Sequence, residues 1–124
     1  MFKKMLFALG LMAACSTFEV SAQCAAGQMF LYNGSNCLVE VEVFYGDGCD
    51  TYGSVTQKAA ANSGICISIP SPWSPVETIL HDPASGQYAS LYPGCGSSQE
   101  VTYEDCAGFT RTFSWNSTWS REVY

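Results

Sequence analysis

The chain has 124 residues, 48% of them hydrophobic and 13% charged, with a formal net charge of −6, which leaves room for one small folded domain. An aromatic share of 14% excludes a disordered chain, because that much apolar surface collapses in water. No run reaches the roughly 18 consecutive apolar residues that a bilayer core demands, which excludes a spanning segment.

The N-terminus reads as a targeting segment. Lys3 and Lys4 form a positive start, residues 5–14 an apolar run, and Val20-Ser21-Ala22 a small-residue cleavage site before Gln23, so residues 1–22 are a signal peptide and residues 23–124 a single exported domain. Leu11-Met12-Ala13-Ala14-Cys15 also resembles a bacterial lipobox, with Met12 where Leu is usual, and makes a lipid anchor at Cys15 the alternative. Without Lys3, Lys4 and Glu19 the exported part keeps ten acidic and three basic side chains. Lys58, Arg111 and Arg121 are too few to grip nucleic acid or an anionic membrane surface.

Beyond the leader, alternation with a period of two recurs and no 3.6-residue period is sustained. Residues 29–32 are the first strand candidate. Residues 37–45 are the clearest, with Val39, Val41 and Val43 on one face and Glu40 and Glu42 on the other. A turn follows, closed either by a two-residue loop at Asp47-Gly48 or by a three-residue loop ending at Gly48, and neither places Cys49 opposite Cys37. Residues 52–57 are a weaker strand. Residues 64–70 set Ile65, Ile67 and Ile69 together and turn Cys66 away from them, so the partner of Cys66 must reach it around an edge or from the other side. Three prolines in residues 70–75 predict a loop or an edge crossing. Strands at 76–81 and 87–92 flank a turn at 82–86, where Pro fixes φ and Gly admits a positive φ. Strands at 100–105 and 109–115 form the last hairpin. A three-residue loop there puts Val101 opposite Phe113 and Tyr103 opposite Arg111, and uses Gly108 as its left-handed residue. A two-residue loop would set Val101 against Ser114 and mismatch the faces. These spacings predict an all-β fold: a small disulfide-stapled antiparallel β-sandwich, Ig-like or a partly open barrel, of about seven to eight strands.

Behind an export signal, Cys24, Cys37, Cys49, Cys66, Cys95 and Cys106 read as three disulfides. No CxxC or CxxH pair offers a metal its usual tight turn, and no cofactor is called for. Fifteen pairings are open. A domain this small buries about two-thirds of its surface, and three bridges at about 2 to 4 kcal/mol each supply a stabilisation comparable to the whole net stability of a typical domain.

The catalytic candidates are weak. His81 is the sole histidine, with no Gly-x-Ser-x-Gly elbow and no spare cysteine, and reads as a strand-end residue. Glu40 with Glu42, or Glu100 with Glu104, could in principle run glycoside hydrolysis, but alternation leaves Glu40 and Glu42 on a solvated face. Asp47 and Asp50 flank a Gly-rich turn and could hold Ca²⁺, yet they lack the ligand spacing of an EF-hand loop. Asn33-Gly34-Ser35 and Asn116-Ser117-Thr118 match the N-glycosylation pattern and read as ordinary turns in a bacterial export.

Aromatic residues are the surplus. Trp73 sits in the proline-stiffened loop, Trp115 and Trp119 flank a turn, and Tyr88 and Tyr92 share a strand face. Trp73, Trp115 and Trp119 are the binding candidates, Trp73 foremost, for a sugar ring or a protein groove. No motif transfers a function. The reading favoured is a secreted, non-enzymatic binding or assembly module of the bacterial cell envelope, with a protein or glycan partner. An inhibitor or effector presenting loop 70–75 and a small hydrolase are the alternatives.

Overall fold

The structure is a computed structural model and describes Cys24–Tyr124; the leader, its cleavage site and Cys15 lie outside the described residues. Nine strands fill most of the described chain: β1 (Gln28–Asn33), β2 (Val39–Asp47), β3 (Asp50–Ala59), β4 (Ser63–Ser68), β5 (Ser74–Asp82), β6 (Gln87–Leu91), β7 (Glu100–Glu104), β8 (Thr110–Ser117) and β9 (Ser120–Val123). They form a five-stranded sheet in the order β4-β1-β9-β8-β7 and a four-stranded sheet in the order β3-β2-β5-β6. The fold is therefore the expected disulfide-stapled sandwich. It differs in having nine strands, and in running β1 parallel to β9, with Phe30 beside Ser120.

The alternating apolar positions supply the core. Val39, Val41 and Val43 have no exposed surface, and Ile67, Ile69, Met29, Leu31, Leu80, Leu91, Phe113 and Val123 meet them from both sheets. Each such side chain stabilises the fold by about 1.5 to 3 kcal/mol through burial. β9 escapes the hydrophobic pattern because one of its two inward residues is Arg121, 1% exposed. Its Nε donates to Thr78 Oγ1 at 3.0 Å and its Nη1 to the carbonyls of Ser117, Thr118 and Ser120 at 2.9 to 3.0 Å. Burial without a carboxylate partner pulls its pKa down to about 10.

The last hairpin has the expected register, with Val101 opposite Phe113, Tyr103 opposite Arg111, and Gly108 at φ +82°. Asp105 organises its loop. Oδ1 accepts the amides of Ala107 and Phe109 at 2.9 and 3.0 Å, and Oδ2 accepts Arg111 Nε at 2.8 Å. Burial raises the carboxyl's pKa, but Arg111 and the two amides outweigh it and hold the group below the usual aspartate value. A carboxyl depressed in the folded state adds stability that is present above its unfolded pKa and lost as the pH falls through that range. Asp105→Ala is expected to lower stability by about 3 kcal/mol at pH 7 and by less below pH 4, measured by urea denaturation at both pH values.

Two turns depart from expectation. Asp47 pairs with Asp50, so the two-residue loop is Gly48-Cys49, one residue later than read from the sequence. A register shift between Tyr45 and Gly46 absorbs the change, and Gly48 takes φ +62° at the first loop position, as a hairpin turn of this length prefers. Residues 70–75 form a loop only as far as Trp73. Ser74 and Pro75 already belong to β5, opposite Gly46 and Tyr45, where an irregularity in the pairing accommodates a residue with no N–H to give.

The three disulfides join Cys24 to Cys66, Cys37 to Cys106 and Cys49 to Cys95. Cys66 lies opposite Phe30, away from the isoleucine face, and takes its partner from the segment leading into β1. Cys37–Cys106 ties the entry of β2 to the β7–β8 loop and so fastens one sheet to the other. Such bonds point to an oxidising, extracytoplasmic environment. Among the described residues no helix is long and apolar enough to cross a membrane.

Candidate functional site

Chemically varied side chains gather on the outer face of the four-stranded sheet. Cross-strand register places Lys58 beside Glu40, Glu40 beside His81 and His81 beside Tyr88, a row running across all four strands. The next row is Thr56, Glu42, Ile79 and Ser90, and the third begins with Ser54, Phe44 and Glu77. Alternation puts these residues outward because their neighbours Val39, Val41, Val43 and Leu80 are claimed by the core.

The face is ordered by its own contacts. His81 Nδ1 lies 3.2 Å from Glu40 Oε1, and the imidazole stacks on Tyr88 with centroids 4.2 Å apart and planes 14° from parallel. Tyr88 is 65% exposed, so its other ring face meets solvent. Ser54 Oγ donates to Glu42 Oε2 at 3.0 Å. Just past β6, Tyr92 lies close to Glu77, whose carboxylate, by attracting the phenol proton and with minor help from burial and its charge, raises the pKa of the phenol. The result is a flat array of two exposed tyrosine rings set among three carboxylates, an imidazole, hydroxyls and an ammonium group.

The tryptophans are placed differently. Trp73, Trp115 and Trp119 are all partly buried and pack against the core. The topology brings them to one end of the sandwich, where the β4–β5 crossing and the β8–β9 turn lie. Trp73 donates its amide to the Pro70 carbonyl, and Tyr52, 60% exposed, lays its ring 4.5 Å away at 30°. Trp115 Nε1 donates to the Ser98 carbonyl, and the Trp119 carbonyl accepts from the Phe30 amide. Each of the three residues packs at the rim of the core and is only partly buried there. The broadly exposed aromatic rings are instead Tyr52, Tyr88 and Phe109, with the C-terminal Tyr124.

The remaining candidates fall as follows. Glu40 and Glu42 occupy successive outward positions of β2, and Glu100 and Glu104 lie on the edge strand β7 of the other sheet, where Tyr124 donates to Glu100 at 3.2 Å. Asp47 and Asp50 face each other across the loop Gly48-Cys49 and are exposed. Asn33, fully buried, is a structural residue and offers no acceptor for a glycan; Asn116 is exposed on β8. Among the described residues one group of potential metal ligands converges, Cys37, Cys106 and Asp82, within 4.8 Å of one another. Its two sulphurs are already bonded together. Asp82 Oδ1 caps the turn through the amides of Ala84 and Ser85, while Oδ2 has no partner. All six described cysteines are disulfide-bonded, so the Glu40–His81 pair has no thiolate nucleophile beside it. Comparison with protein-family models, with curated proteins and with solved structures finds no match.

Proposed function

We propose that this chain is an exported, non-enzymatic binding module of a bacterial cell envelope that reads a glycan with the outer face of its four-stranded sheet. The observation that carries the reading is an exposed ring set against an anchored carboxylate: Tyr88 stacked on His81, itself 3.2 Å from Glu40, with the exposed Tyr92 close to Glu77 on the same face. A sugar ring presents C–H groups to an aromatic face and hydroxyls to acceptors at its edge, so it calls for this mixture. Side chains already held by one another lose little freedom on binding. Export is supported by the three disulfides, and the same cross-links give a small sandwich a rigid face.

The test is a panel of envelope polysaccharides and defined oligosaccharides, followed by calorimetry on any glycan bound. Tyr88→Ala and Tyr92→Ala are each expected to weaken binding at least tenfold, about 1.4 kcal/mol or more, with the melting temperature unchanged. Absence of binding across the panel, or full binding by both variants, would contradict the reading.

A further inference from the structure

β3 is the outer strand of the four-stranded sheet and hydrogen-bonds β2 on one side. Its other side presents backbone N–H and C=O groups, a row that natural sheets blunt with short strands, prolines or mid-strand lysines. β3 does none of this along its middle. It has ten residues, against six in β4 and five each in β6 and β7, the remaining outer strands. It contains no proline, and residues 51–57 carry no charge. Seven of the ten residues are exposed. Its register against β2 breaks only near Tyr45 and Gly46, which leaves residues 53–59 as a regular ladder with Thr56 at the midpoint.

We propose that a second copy of this chain pairs with β3 edge to edge, antiparallel about a two-fold axis through Thr56. That register sets Thr56 opposite Thr56, Val55 opposite Gln57 and Ser54 opposite Lys58, and keeps outward residues beside outward residues. Charge selects a second copy as the occupant. Lys58 is the one lysine or arginine in the four strands of this sheet. Pairing brings it beside the partner copy's Ser54, whose hydroxyl is held 3.0 Å from Glu42, so each copy's cation meets the other's carboxylate, twice by symmetry. The two four-stranded sheets become one of eight strands, with both Glu40–His81–Tyr88 rows on the same side. Because the exported chain is strongly acidic, net repulsion opposes association and added salt screens it.

Sedimentation velocity of the oxidised, exported chain over a hundredfold range of concentration tests the proposal. A monomer–dimer equilibrium is expected, shifted toward dimer at 0.5 M relative to 0.05 M salt by screening. Thr56→Lys, which places two ammonium groups face to face at an exposed position, is expected to raise the dimer dissociation constant at least tenfold while leaving the melting temperature of the dilute monomer unchanged. Lys58→Glu should weaken the dimer as well, and Lys58→Glu combined with Glu42→Lys should restore it. A monomer at every concentration and salt, or a dimer indifferent to Thr56→Lys, overturns the proposal.

Discussion

Cys37→Ala with Cys106→Ala is expected to lower the stability of the oxidised protein by about 4 kcal/mol, the chain-entropy value for a cross-link that closes a loop of this length. The bond spans 69 residues, against 42 and 46 for its companions, and it alone ties the start of β2 to the β7–β8 loop. Cys37 is 4% exposed, so its replacement also strips packing from a buried site. A loss of this size is a large part of the net stability of a small domain. Equilibrium urea denaturation checks it, with the variant's midpoint falling far below that of the parent. A change under 1 kcal/mol would show that the two sheets hold together without the bond.

Asn33→Asp should be almost as damaging, although it exchanges one atom for another. The Asn33 side chain is fully buried, and its Nδ2 donates to the carbonyls of Cys37, Ala59 and Ala60 at 2.8, 3.2 and 3.1 Å. Oδ1 accepts both the amide and the hydroxyl of Ser35, at 3.1 and 2.7 Å. One amide thus fastens the β1–β2 loop to the end of β3. An aspartate would turn an anionic oxygen toward three carbonyl oxygens, leaving a buried charge and withdrawing the amide donors, although Ser35 Oγ still reaches the Cys37 carbonyl and Ser63 Oγ the Ala60 carbonyl, for an expected loss of about 3 to 5 kcal/mol at pH 7. Protonation restores a neutral group with one donor, so the variant's carboxyl must titrate higher in the folded state than in the unfolded state. A raised folded pKa means stability that is present at low pH and lost as the pH rises. The difference between parent and variant should therefore narrow from pH 7 toward pH 4, in denaturation curves at the two values. A difference that stays constant would place Asn33 outside the role described.

Much of the sandwich is legible in residues that alternate. Val39, Val41 and Val43, then Ile65, Ile67 and Ile69, face the core as their spacing requires, and the Glu100–Ser117 region pairs as the face-matching of Val101 with Phe113 demands. Legibility fails where one inward position is polar. Arg121 occupies such a position in β9, so a four-residue strand hides behind a cation whose hydrogen bonds are made to the preceding turn and to Thr78. It fails again at the β2–β3 loop, because a bulge displaces the turn by one residue and nothing in Gly46-Asp47-Gly48 announces it.

The candidate site shows the same division. Its parts are visible in the sequence as the outward faces of separate strands: Glu40 and Glu42, His81, then Tyr88 and Tyr92. Their assembly into rows is not visible, since it depends on the registers of β2 with β5 and of β5 with β6, which are strands far apart in the chain or joined by a flexible choice of turn. The tryptophans illustrate the opposite case. Residue type and loop position draw attention to Trp73, whereas its packing against the core, which leaves the ring partly buried, depends on tertiary contacts that residue type does not announce.

The sandwich, and with it the proposed export and binding face, rests on the three cross-links, and peptide mapping of the purified, unreduced protein by mass spectrometry addresses this most directly. The account predicts three linked pairs, Cys24 with Cys66, Cys37 with Cys106 and Cys49 with Cys95, and no free thiol among these six. Free cysteines in a cooperatively folded protein, or any other pairing, would contradict it.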